Sequence, residues 1–151
     1  MGVELVEYAL IFLAAATPWL EIALVVPLGI VRGLSPFWVM VTGFTGNLLT
    51  VFLLIVLFQR VREYMEKRNK SEKKEGKRQT RARNIWNKYG LPGLSLLGPI
   101  LIGTHIAAFI SMSLGADKAR VLFWQIVSIA LWTLIFGYAA IAGVDFLIRE
   151  S

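Results

Sequence analysis

The sequence predicts an all-α integral membrane protein of two inverted repeats, each a Pro/Gly-broken, re-entrant helical hairpin followed by a transmembrane helix. Three observations carry that prediction. Phe37 to Phe58 and Val121 to Ile141 are apolar runs without a charge, each long enough to cross about 30 Å of hydrocarbon at about 1.5 Å per residue. Each run follows an apolar block interrupted by helix breakers: Pro18, Pro27, Gly29 and Gly33 before the first, and Gly90, Pro92, Gly93, Gly98, Pro99 and Gly103 before the second. A shift of 72 positions also lays Pro27 on Pro99, Val31 on Gly103, Gly43 on Gly115 and Asn47 on Ala119. Membrane transport folds are often built from such repeats, with the working site where the broken segments meet.

The bulk numbers agree. A chain of 151 residues that is 56% hydrophobic is too apolar for an ordinary soluble domain and forms a single membrane domain. Its parts are repeat 1 at about 3–59, a basic connection at 60–88, and repeat 2 at about 89–148. Most of the sixteen Lys and Arg residues lie in that connection, so the positive-inside rule places it in the cytoplasm and no nucleic-acid partner is needed to explain the net charge of +6. Anionic lipid headgroups are a natural partner for such a cluster. With no cysteine and one histidine, disulfides are excluded and a zinc or iron site has too few ligands, so no metal and no cofactor is expected. The start of the chain lacks the basic residues of a secretory signal, so the N-terminus is expected to stay.

The elements follow in order. Val3 to Ala16 is a helix with Glu4 and Glu7 in its first turns, where carboxylates suit the dipole. Pro18 ends it or restarts the next helix. Pro27 then removes a hydrogen bond that lipid cannot replace, so the backbone around it must face protein or a cavity. Two arrangements fit: residues 3–34 as a hairpin entering and leaving on one face, or residues 8–34 as one kinked crossing. The block Leu91 to Gly115 poses the same choice. The density of breakers favours hairpins, which puts the C-terminus outside and Asp117 to Arg120 in the cytoplasm; four plain crossings reverse both.

Ser35-Pro36 opens the first span, in which Gly43, Gly46 and Asn47 form a helix-packing face. The helix continues from Arg60 to Lys70, with Glu63/Lys67 and Glu66/Lys70 at i,i+4 spacing, and Ser71 to Gly76 is the flexible point. Thr80 to Tyr89 reads as a membrane-surface helix with Ala82, Ile85, Trp86 and Tyr89 on one face. In the last span Trp124 and Tyr138 mark the interfaces and Trp132 packs at mid-span; Asp145 and Arg149 form a helix-end pair.

Four residues are candidates for substrate or proton binding. Glu21 is an acid within an apolar segment, where a charge costs about 2.5–3.5 kcal/mol and usually faces a polar interior. Arg32, eleven residues on, can hold a carboxylate or phosphate by a forked pair of hydrogen bonds and approaches Glu21 if Pro27 turns the chain. Thr104 and His105 follow the second break, and the histidine can relay protons near neutral pH. The two breaks, at Pro27 and Gly29 and at Gly98, Pro99 and Gly103, are expected to bring all four towards one midplane site. Catalytic motifs are missing: no glycine-rich phosphate loop follows a strand, Gly93 to Gly98 lacks the spacing of a nucleophile elbow, and nothing specific supports a hydrolase built on Ser95 and His105.

Glu21, Pro27-Leu28-Gly29, Gly33 and Gly46-Asn47 resemble the first half of the small multi-drug export protein family. Lys88-Tyr89-Gly90, Gly98-Pro99, Gly103-Thr104-His105, Ala107-Ala108, Gly115, Ser128 and Trp132 are similar to its second half. The resemblance covers about Leu20 to Gly143 and implies export of small organic molecules. Members often carry an arginine two positions after the glutamate, where this chain has Ala23, so a role requiring a base there depends on Arg32 substituting for it. The broken, duplicated layout is also similar to DedA-type membrane proteins, which implies re-entrant hairpins and lipid-carrier translocation as a second possibility. The resulting expectation is a small secondary transporter of the plasma membrane, not an enzyme, proton-coupled and homodimeric, exporting organic or anionic amphipathic molecules. A lipid or lipid-phosphate translocase and a non-transporting scaffold are the alternatives.

Overall fold

The computed structural model describes residues 2–18, 20–68 and 77–150. Among them the chain is all-helical: α1 (Gly2–Ala16), α2 (Glu21–Val31), α3 (Pro36–Val56), α4 (Phe58–Arg68), α5 (Lys77–Leu101), α6 (Thr104–Ser113) and α7 (Lys118–Glu150). Two of these, α3 and α7, are long and apolar enough to cross a membrane. The 11 residues of α2 and the 10 of α6 reach only about 15 Å, half the hydrocarbon thickness. The chain forms two compact units, Met1–Thr50 with Val127–Ser151, and Val51–Ile126; α3 and α7 contribute to both.

In the first unit α1 and α2 form a helical hairpin closed by a tight turn. Thr17 N–H donates to the Ala14 carbonyl at 3.0 Å and Leu20 N–H to the Thr17 carbonyl at 3.1 Å. Within a bilayer, burying apolar surface against protein gains little over lipid, so helices associate through close backbone approach at small residues. Glycines supply that approach. A Cβ on Gly29 would stand 2.9 Å from both Ile11 and Val39, and one on Gly43 2.9 Å from Val26. One on Gly46 would run into the backbone carbonyl of Phe12. Gly43 and Gly46 thus lie at close approaches of α3 to α2 and α1, and Gly29 joins them as a contact between α1, α2 and α3.

Pro27 does not break the chain, contrary to the sequence expectation: α2 runs through it from Glu21 to Val31. A proline deletes one N–H, and the helix tolerates that loss where its neighbours keep their bonds. Pro99 likewise lies inside α5, and Gly98 is a contact, its missing Cβ leaving room for the methyl group of Ala107. Gly103 is a true break. It caps α6 with φ 100°, and the other positive-φ glycines are Gly33, Gly90 and Gly115.

Gly33 and Gly115 make the same turn. Gly33 N–H donates to the Ile30 carbonyl at 2.9 Å and Leu34 N–H to the Gly29 carbonyl at 3.2 Å; Gly115 N–H donates to the Met112 carbonyl at 3.1 Å and Ala116 N–H to the Ser111 carbonyl at 3.1 Å. This pair of bonds around a left-handed glycine is a Schellman cap. Each cap leads straight into a long helix, whose first-turn bonds, Val39 N–H to the Ser35 carbonyl at 3.0 Å and Val121 N–H to the Asp117 carbonyl at 2.9 Å, also match. Asp117 adds a side-chain N-cap, its Oδ2 accepting from Ala119 N–H at 3.1 Å and Arg120 N–H at 3.2 Å. The matching caps stand 82 positions apart. On that shift Val39 meets Val121, Gly43 meets Gln125, Gly46 meets Ser128 and Val51 meets Thr133, all buried. The 72-position shift instead lays α3 across the turn between α6 and α7, so it does not align the elements.

In the second unit α4 continues α3 after one turn residue, Leu57, whose N–H still bonds the Leu53 carbonyl at 2.9 Å. The expected helix from Arg60 is thus present to Arg68. Ser71 to Gly76 and the side chains of Lys67, Lys70 and Arg149 lie outside the described residues. Helix α5 bends at Gly90, whose φ of 65° and ψ of −158° suit only glycine. The bend lets Ala82, Ile85 and Trp86 pack on Leu94, Ile102, Ile106, Ala107 and Ile110. The amphipathic stretch 80–89 therefore spends most of its apolar face on protein, where a membrane-surface anchor was expected; Tyr89 alone stays exposed. Phe58 tilts against Phe109 with ring centroids 5.3 Å apart. Trp132, on the other unit's stretch of α7, stacks on Phe136 at 5.4 Å as a packing residue.

Candidate functional site

Each hairpin has a tip, and three of the four candidate polar residues lie at the tips. Glu21 is the first residue of α2, directly after the turn from α1, and only 7% of its surface is exposed. Thr104 and His105 are the first residues of α6, directly after the Gly103 break, and both are buried. These three residues sit where two short helices meet inside their own unit. The four candidates fall in two units, however: Glu21 and Arg32 in one, Thr104 and His105 in the other.

Arg32 is separated from Glu21. The unbroken α2 puts them at its opposite ends, about 16 Å apart along the axis, so Pro27 does not fold one onto the other. Arg32 instead caps the C-terminal end of α2 and its Nη2 lies 3.5 Å from Glu7 Oε1 of α1. Beside it Ser35 N–H donates to the Tyr8 hydroxyl at 3.1 Å. The Glu7–Tyr8 turn of α1 thereby holds the base of the hairpin. The Arg32 and Glu7 side chains are 64% and 30% exposed; a single long contact of that kind is worth roughly 0–1 kcal/mol.

Between α1 and α2 runs a groove of about 180 Å³. Leu10, Ile11, Ala14, Leu24, Val25 and Leu28 form its apolar walls, and Glu7 and Arg32 are its charged residues. Its walls are apolar, and its charged end is the Arg32–Glu7 pair.

Two carboxamides are among the other buried polar residues. Asn47 on α3 and Gln125 on α7 are each 0% exposed, and neither the nitrogen nor the oxygen of either amide has a hydrogen-bond partner among the described residues. Gln125 was missed by the sequence reading and Asn47 was assigned to packing. The signal was present: each is the one carboxamide in its charge-free run.

The chain belongs to the family described as Putative small multi-drug export protein, whose model matches residues 21–135. The match begins at Glu21 and takes in α2, α3, the second hairpin and the first half of α7. No curated protein and no solved structure matches the chain. It is thus a membrane protein of an export family, which is not an enzyme class.

Proposed function

We propose that the protein is a small secondary transporter that exports anionic amphipathic molecules, coupled to protons. The observation that carries this reading is the groove between α1 and α2, apolar along its length and closed at one end by Arg32. An exporter needs a site that releases as well as binds. The exposed Arg32–Glu7 pair suits that need, because a substrate anion gives up little when it replaces Glu7 on the guanidinium. Glu21 at the hairpin tip takes and returns the proton, and Thr104 with His105 serves the second hairpin tip in the same capacity.

The proposed topology is that of two re-entrant hairpins and two spans in the plasma membrane, with residues 60–88 in the cytoplasm and a homodimer as the working unit. The short lengths of α2 and α6 favour it, since neither crosses the hydrocarbon. The repeated Schellman cap favours duplication, at a shift of 82.

The test is transport of a fluorescent anionic amphiphile in proteoliposomes under an imposed pH gradient. Wild-type protein is expected to move the dye, Arg32→Ala to lose about tenfold or more in rate, and Arg32→Lys to keep part of it. Undiminished transport by Arg32→Ala would overturn the assignment. Flipping of labelled lipid headgroups without dye movement would replace it with a lipid translocase of DedA-like type. Absence of both, with loss of a bound partner on deleting 71–78, would leave a scaffold.

A further inference from the structure

The charged end of the α1–α2 groove presents both signs at once. Arg32 caps the C-terminal end of α2, where a cation suits the negative pole of the helix, and Glu7 faces it from α1. Their contact, Nη2 to Oε1, is long at 3.5 Å, and neither side chain has another polar partner among the described residues. A guanidinium donates in a fork and a carboxylate accepts on both oxygens, so the pair leaves most of its hydrogen-bonding capacity unused. The backbone beneath it is better fixed. Ser35 N–H donates to the Tyr8 hydroxyl at 3.1 Å and Leu34 N–H to the Gly29 carbonyl at 3.2 Å. The two charged residues are thereby held at a set spacing, while their side chains, joined by one long contact, can part to admit a ligand.

A headgroup that enters here meets two opposite charges. A purely anionic one that takes Arg32 leaves Glu7 without its counter-charge and places two negative groups side by side. A purely cationic one on Glu7 does the same to Arg32. A headgroup carrying both an anion and an ammonium exchanges one stretched ion pair for two. Exposed pairs each contribute little, but like charges brought together oppose binding, so the pattern of signs sets selectivity more than raw affinity. The rest of the groove sets the tail. Leu24, Leu28 and Arg32 line it at four-residue spacing on one face of α2, and Glu7, Ile11 and Ala14 line it from α1, so each charge heads an apolar row. The space holds about 180 Å³. An apolar cavity of about 150 Å³ takes a benzene-sized molecule, so this one takes a short stretch of a single alkyl chain.

We infer that the α1–α2 groove selects single-chain amphiphiles with a zwitterionic headgroup, the anionic group on Arg32, the ammonium on Glu7 and the chain along the apolar rows. The inference rests on the reading of the groove as the substrate site. It narrows the anion there to one half of a zwitterion and makes Glu7 a specificity-determining residue beside Arg32. Each ligand charge then forms a charge-assisted contact with a group that the resting pair holds by one 3.5 Å approach.

The test measures binding by the full chain purified in an uncharged maltoside detergent, with no transport required. The probes share one fluorescent decyl chain and differ in headgroup: sulfate, trimethylammonium or sulfobetaine. Anisotropy gives each dissociation constant, referred to the double variant Glu7→Gln with Arg32→Gln so that each probe's own preference for the micelle cancels. The wild type is expected to gain about fivefold for the sulfobetaine and little for the other two. Glu7→Gln is expected to move the gain to sulfate and Arg32→Gln to move it to the ammonium, opposite shifts that a merely structural pair would not give. Should a single variant fail to fold, the exchange Glu7→Arg with Arg32→Glu is expected to keep the sulfobetaine gain. A wild type that gains as much for sulfate as for sulfobetaine would overturn the zwitterion and leave the anion reading in place. No gain for any probe would overturn the charged end as a binding site. If the sulfobetaine gain is present but proteoliposomes move no probe, the transport reading fails and the binding site stands.

Discussion

Gly46 and Asn47 are neighbours on α3 that answer opposite questions. Gly46 is present because nothing larger fits: its Cβ would meet the Phe12 carbonyl, a backbone atom that cannot turn aside. Gly46→Ala is therefore expected to destabilise the protein by roughly 1–3 kcal/mol, read as a fall in detergent unfolding temperature. Gly143→Ala is the control, because nothing lies within 4 Å of a Cβ there, and it should leave the temperature unchanged or slightly raised. Asn47 is fully buried, and its amide has no hydrogen-bond partner among the described residues. Sequence reasoning put both residues in one packing face, because a glycine next to an asparagine in an apolar run reads as a helix contact. Only burial and hydrogen bonding separate them. Arg32 shows the same limit in reverse. Its charge and distance from Glu21 were plain in the sequence, but its partner, Glu7, comes from the preceding helix and no spacing rule points to it.

The helices themselves were largely legible. The two long spans announce themselves as charge-free runs, and the structure returns them as α3 and α7. The breaks were less so. Of the prolines and glycines read as breakers, Pro27 and Pro99 sit inside helices, since each removes a single backbone bond. The turns fall instead on glycines whose φ is positive, a property of conformation that composition does not print. Gly33 and Gly115 are the clearest case. Nothing lies within 4 Å of a Cβ at either, so Gly33→Ala and Gly115→Ala each test the left-handed conformation alone. Each is expected to cost about 1 kcal/mol, and the two losses in unfolding temperature should be similar because the capped turns are the same. A loss at one and not the other would argue against a repeated element. The same caps explain why the 72-position shift matches prolines and glycines but not helices: it aligns residue types, whereas turn geometry and burial match at a shift of 82.

The whole molecule follows from those elements. A helical hairpin, a Schellman turn and a helix long and apolar enough to cross a membrane occur twice among the described residues, with Glu21 at one hairpin tip and Thr104 and His105 at the other. If the hairpins are re-entrant, each tip lies near mid-membrane, where an exporter needs its polar groups, and Arg32 lies at the surface, where a departing anion needs a weak hold. If they are not, the tips lose that depth and the transport reading loses its support. The decisive measurement is the side of the membrane reached by the C-terminus, made with a single cysteine added after Ser151 and an impermeant thiol reagent on intact cells, a clean probe because the chain has no cysteine of its own. The account predicts labelling from outside in intact cells. Protection in intact cells, with labelling only after they are opened, would mean four plain crossings and would contradict it.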